Sequence, residues 1–255
     1  MSATLLMLKF IFLYRSNIEI MDNTKTKPNF MDKKKYTVIK KKNDFADFQN
    51  EKLWDDVKSL IISDESYLWV NNGYKPKVTI KVFHTKKNIY LNFNVFEKKT
   101  TIKYTEFGGD IWKDSCVEFF INPFPHLSKE YFNIEINAMG VPLIGVRKYG
   151  EKPYYFKEEE VKDWEIIPSI KEAINGEHGN DFWSLHLKIP KTFFENHYEE
   201  KSDIKNGIAN FYKCGDETEF EHYGAWNRIE NPKPNFHLPH YFGELNFASK
   251  LSESK

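Results

Sequence analysis

Cysteine is scarce in this sequence: Cys116 and Cys214 are the only two. They exclude a multi-bridge disulfide scaffold and a zinc site made of several cysteines, and their strand-like settings favour two buried thiols over one bridge. Net charge is also lacking, with 37 basic against 37 acidic side chains. The broad basic field that general nucleic-acid binding requires is therefore missing. No apolar run reaches the length of a membrane span. Leu5 to Tyr14 is the longest candidate, and Lys9 interrupts it. It has no basic segment before it and no small-residue cleavage site after it, so it reads poorly as a signal peptide; a cytoplasmic protein is expected. A phosphate-cradling glycine loop, an HExxH helix and a nucleophile elbow are absent too.

Aromatic residues, by contrast, make up 16% of the chain, more than packing usually demands and typical of ligand surfaces. Between residues 22 and 42 there are eight lysines and two aspartates. A like-charged run of this kind reads as a solvated arm, so residues 1–35 are expected to be a leader or basic arm ahead of one domain over 36–250.

Within that domain strand signals dominate. Tyr36 to Ile39, Lys77 to Phe83 and Ile89 to Val95 alternate between apolar and polar residues, and Asn88 marks a turn between the last two. Further strands are expected over 115–122, 130–138, 141–147, 163–170, 182–189, 207–213 and 241–247. One short helix is expected from Lys191 to Tyr198, after Pro190. Many short strands and one minor helix predict an all-β fold, an antiparallel β-sandwich of jelly-roll or immunoglobulin-like type.

The centre of the chain carries the chemistry. In 115–121, Val117, Phe119 and Ile121 share one face, and Cys116, Glu118 and Phe120 the other. In 130–138, Phe132, Ile134, Ile136 and Ala138 share a face opposite Tyr131, Asn133, Glu135 and Asn137. A turn near His126 would set Glu118 opposite Glu135. Two like charges facing each other on a sheet need compensation, and Arg147 and Lys148 are the available counter-ions. Trp112 stands six residues before Glu118. An aromatic face can stack on the C–H face of a sugar ring while a carboxylate accepts its hydroxyl hydrogens. Trp226 is the candidate for an opposing wall, against the simpler reading of both indoles as core.

The stretch from Trp112 to Phe120, the stretch from Tyr131 to Gly140, and the later Tyr212 to Glu217, Trp226-Asn227 and Tyr241 to Leu245 together resemble the family 9 carbohydrate-binding modules, in a stand-alone bacterial branch. The resemblance spans roughly 36–247. It implies a β-sandwich holding a mono- or oligosaccharide between two tryptophans in support of glycan catabolism, without catalysis. By position Trp112, Glu118 and Trp226 would form the slot, with Asn133, Glu135 and Asn137 as further hydrogen-bonding groups. It also implies structural calcium, for which Asp216, Glu217 and Glu219 are oxygen donors to consider beside the simpler reading of an exposed acidic loop. Two other functions stay open: a glycoside hydrolase using Glu118 and Glu135, and a haem-binding sandwich of the related dopamine-monooxygenase-N-terminal-like type, with Met139 and one of His222, His237 or His240 as axial ligands.

Overall fold

The computed structural model describes residues 33–148, 150–172, 177–178 and 181–252. The expected leader falls almost wholly outside them. No helix among the described residues is long and apolar enough to cross a membrane.

Alternating residues build strands in the expected places, and five short strands that the pattern does not announce join them. The chain runs β1 (Lys35–Lys40), β2 (Leu60–Ile62), β3 (Lys77–His84), β4 (Asn88–Phe96) and β5 (Thr100–Thr101). It continues with β6 (Cys116–Asn122), β7 (Tyr131–Asn137), β8 (Pro142–Arg147), β9 (Tyr154–Tyr155) and β10 (Glu165–Pro168). The last part comprises β11 (Glu177–His178), β12 (Phe182–Pro190), helix α1 (Lys191–Tyr198), β13 (Asn206–Gly215), β14 (His222–Ala225) and β15 (Gly243–Leu251). Pro190 fixes the entry to α1, and Glu199, at φ 50°, ends it in the left-handed region. The helix is anchored by Phe194, whose ring meets Phe132 edge-on at 4.9 Å.

Thirteen strands join in one sheet, in the order β10-β12-β4-β3-β1-β15-β13-β6-β7-β8-β9, with β14 on β13 and β2 on β3. The all-β expectation holds, but the purely antiparallel sandwich needs correction. β1 pairs in parallel with both β15 and β3, so the sheet is mixed and continuous. The physical reason is that β1 enters between two strands distant in sequence, and no tight hairpin forces it to run against either.

The sheet curls so that its halves face one another. Phe93 on β4 and Phe211 on β13, far apart in the strand order, bring their rings to 6.3 Å. Between the halves lies the main core, which takes Val117, Phe119 and Ile121 from β6 and Phe132, Ile134 and Ile136 from β7. The opposite face of β6, β7 and β13 is not left to water. Cys116, Phe120, Tyr131, Tyr212 and Cys214 on that face form a second apolar cluster with Leu68, Ile111, Phe236 and Phe242 from the covering segments. The candidate site lies in this second layer.

Candidate functional site

Register comes first. β6 and β7 pair so that Glu118 lies directly across from Glu135, and Val117 across from Ile136. The hairpin places both carboxylates on the face away from the main core. That face is covered, and both side chains retain only 3% of their exposure. Their remaining surface borders a cavity of about 230 Å³.

Burial holds protons on these groups. Glu118 is pushed well above the usual carboxylate range by desolvation, then by the nearby Cys214 and Glu135. Its Oε1 accepts a hydrogen bond from Cys214 Sγ at 3.0 Å. Burial raises Glu135 to about 7, opposed by a hydrogen bond from Asn133 and by the charge of Arg147. Asn133 Nδ2 donates to Glu135 Oε1 at 2.9 Å, and Arg147 Nε donates to Asn133 Oδ1 at 3.3 Å. The anticipated counter-ion is therefore Arg147. Lys148 instead pairs with Glu151 at 2.8 Å. Asp216 completes the acidic lining, raised to about 6 chiefly by burial.

The raised value at Glu135 has a consequence for stability. Its folded-state pKa lies above the unfolded value, so the folded state binds the proton more tightly. The associated stability is complete below about pH 4.5 and is lost as pH rises through about 7. Glu135→Gln keeps an acceptor for Asn133 and removes the charge. Relative to the native protein, it should gain on the order of 2–3 kcal/mol of stability between pH 4.5 and 8. Urea unfolding at both pH values measures this, and equal pH slopes for the two proteins would contradict it. The comparison is made between variants because His237, depressed to about 3 by burial and Arg147, contributes the opposite slope below its ordinary pKa.

Trp112 sits in a single 3-10 turn, Ile111–Lys113, clamped from both sides. Its carbonyl accepts from Asp216 N at 3.4 Å and lies 3.4 Å from Cys214 Sγ, while Glu217 N donates to Lys113 O at 2.9 Å. Lys113 Nζ closes the turn with Asp110 at 3.0 Å and Glu217 at 3.1 Å. The half-buried Trp112 lines the cavity beside Glu118.

The second tryptophan on this cavity is Trp69, not Trp226. Trp226 retains 3% exposure, belongs to the main core and meets Phe211 edge-on at 5.7 Å. The cause is that its backbone N–H bonds Phe211 O just beyond β14, and from there the ring turns inward between the sheet halves. Trp69 is carried by a three-residue turn in which Val70 N bonds Leu68 O at 2.8 Å, and its φ is +68°. That region is sparsely used by large side chains and costs about 1–3 kcal/mol, so the surroundings must hold it. They do so through an indole hydrogen bond from Nε1 to Asn231 O at 2.6 Å and ring contacts with Tyr223 and Phe236 at 5.9 and 5.8 Å.

Asn231 to Asn235 reads in the sequence as a rigid connection; its end, with Phe236 and His237, supplies the rest of the wall. Phe236 stacks on Tyr212 at 4.1 Å, and His237 stacks on Phe120 at 5.0 Å and bonds Tyr131 Oη at 3.1 Å. At the rim, Arg147 Nη2 donates to Tyr155 Oη at 2.7 Å.

Asn137 and Asn133 are scaffold for the site rather than lining. Asn137 Nδ2 bonds Tyr104 O and Asp114 Oδ2, while its Oδ1 accepts from Met139 N and Val141 N, fixing the turn before β8. Asn133 acts through Glu135 and Arg147.

The proposed calcium donors do not converge. Glu217 is engaged by Lys113 and Glu219 by Lys99, while Asp216 turns to the cavity. These residues do not fit a calcium cage. Nor does the structure favour the haem ligands: Met139 borders the main core, whereas His222 bonds Lys213 Nζ at 2.8 Å and His237 belongs to the aromatic wall.

The comparisons agree with this architecture. No curated protein matches the chain. A Bacteroides uniformis protein described as a candidate carbohydrate binder is 27% identical, with a TM-score of 0.76, over 85% of this chain and all of that one. A family 9 carbohydrate-binding module from Caldicellulosiruptor kristjanssonii, solved in complex with glucose, shares the fold at 12% identity and a TM-score of 0.52, over 87% of this chain and 99% of its own. The same module solved with cellotriose gives a TM-score of 0.52, over 86% of this chain and 96% of its own. The model of carbohydrate-binding family 9 matches residues 48–247, so the chain belongs to that family.

Proposed function

We propose that the cavity holds a single sugar ring, stacked on Trp112 and Trp69 and oriented by Glu118, Glu135 and Arg147. The observation that carries this reading is the joint presence of two half-buried indoles and an opposed carboxyl pair on one small cavity. Indole faces suit the C–H face of a pyranose, and apolar walls with a few placed polar groups are the usual composition of small-ligand sites. A carboxyl group that keeps its proton both donates and accepts, so the pair can serve hydroxyls of either sense. Arg147 contributes donors only. At about 230 Å³ the cavity lies below the roughly 300–1,000 Å³ of drug-sized sites, which favours one ring, or the end of a chain, over an internal segment. The relative solved with glucose and with cellotriose supports this ligand class.

Binding rather than turnover is the role, with glycan catabolism as its setting. Calorimetric titration with hexoses, pentoses and short oligosaccharides should give saturable one-to-one heat for at least one sugar, while chromogenic glycosides remain intact. A folded protein silent across the whole panel would overturn the reading.

A further inference from the structure

Beneath the cavity floor Glu118 stands with two cysteines, to which sugar binding gives no part. Cys116 on β6 and Cys214 on β13 are directly paired across adjacent strands. Both thiols are free and buried. Their sulfur atoms and a Glu118 oxygen all lie within 4.8 Å of one another, the one such convergence of three metal-ligating groups among the described residues. We propose that Cys116, Cys214 and Glu118 form a site for a thiophilic divalent cation of the zinc type.

The donor set carries this choice. Two sulfurs and one carboxylate oxygen suit zinc and disfavour calcium or magnesium, which take oxygen alone. Tetrahedral zinc, with bonds of about 2.3 Å to sulfur and 2.0–2.2 Å to oxygen, needs its ligand atoms roughly 3.3–3.8 Å apart. The Cys214 Sγ to Glu118 Oε1 separation of 3.0 Å opens to that value by a small rotation. In the metal-free state the contact is a hydrogen bond from thiol to carboxyl. The ion would displace the two thiol protons and the proton held on Glu118, all three passing to solvent, as ligation by thiolates and a carboxylate requires.

Access comes from the cavity. Cys214 and Glu118 border it together with Glu135 and Asp216, so the fourth coordination position opens on water or on a bound hydroxyl. Three protein ligands and one open position is the pattern of zinc sites that contact a ligand, as distinct from the closed four-ligand structural kind. The opposite side of Cys214 is closed: its carbonyl accepts from the buried Lys213 Nζ at 2.9 Å.

The test uses the full chain, reduced with a phosphine and freed of metal by a chelator. Titration with cobalt(II) should give one equivalent of thiolate-to-cobalt charge-transfer absorption, reversed by zinc(II). Cys116→Ser and Cys214→Ser should each lose that band, and Trp69→Ala should keep it, which separates this site from the sugar-stacking walls. Zinc X-ray absorption on the native protein does not depend on any variant folding, and it should show two sulfur neighbours at about 2.3 Å. An oxygen-and-nitrogen-only shell, or an unchanged cobalt band in either serine variant, would overturn the proposal. So would a Cys116–Cys214 disulfide in the isolated protein with no cobalt band after its reduction.

Discussion

Trp226→Ala is expected to destabilise the protein by about 3–5 kcal/mol, the range for emptying a large aromatic site in a core. The ring retains 3% of its exposure, packs edge-on against Phe211 and reaches the main core between the two halves of the sheet. Gly243 shows how little slack there is: a methyl group added to it would come within 2.7 Å of Trp226 Cζ3 and 2.6 Å of Lys34 O. The site cannot collapse easily, because β15 is held beside it by pairing to both β1 and β13. In a domain of this size the loss corresponds to a fall of roughly 6–20 °C in the unfolding midpoint. Differential scanning calorimetry checks it. A midpoint within 2 °C of the native value, an arbitrary threshold of about 1 kcal/mol or less, would show that the indole is not core. Below the variant's midpoint, sugar affinity per folded molecule should be unchanged, because Trp226 does not border the cavity.

This outcome separates what parity can say from what it cannot. The two-residue period assigns Val117, Phe119 and Ile121 to one side and Cys116, Glu118 and Phe120 to the other, and both groups are found where the pattern puts them. The turn near His126 likewise fixes Glu118 against Glu135. Local rules suffice there because a hairpin is a local object. They fail for β1, whose parallel neighbours come from the far end of the chain and from beyond an intervening strand, and no turn chemistry records that pairing.

The second tryptophan was hidden for the same reason. Trp226 and Trp69 are both large rings in short strand-like surroundings, and which of them meets the cavity depends on how the covering segments lie over β6 and β13. Trp69 precedes Val70-Asn71-Asn72-Gly73, a turn-rich tract of the kind that places a side chain on a surface. That was the available signal. His237 and Phe236 had a weaker one, since proline-flanked segments such as Asn231 to Asn235 read as connections. Their aromatic contacts with Tyr212 and Phe120 are long-range in sequence.

Trp112→Ala and Trp69→Ala should each weaken sugar binding by about thirtyfold or more. That corresponds to roughly 2 kcal/mol, the level at which an aromatic residue dominates a binding surface. Neither substitution opens the main core, so both midpoints should fall by less than that of Trp226→Ala. Trp112 is held through its carbonyl, which accepts from Asp216 N and which alanine preserves, so its variant reports the loss of the ring face alone. Trp69 adds a second element. Its indole N–H ties the strained turn to Asn231, and removing it frees both the turn and the wall that carries Phe236. Trp69→Phe keeps an aromatic face without that tie and should fall between native and alanine in affinity. Trp69→Gly relieves the positive φ and should unfold at or above the alanine variant's midpoint while binding no better. Calorimetric titration with whichever sugar binds the native protein gives the affinities. Native-like affinity in both alanine variants would remove the indoles from the site and leave the carboxyl pair without its walls.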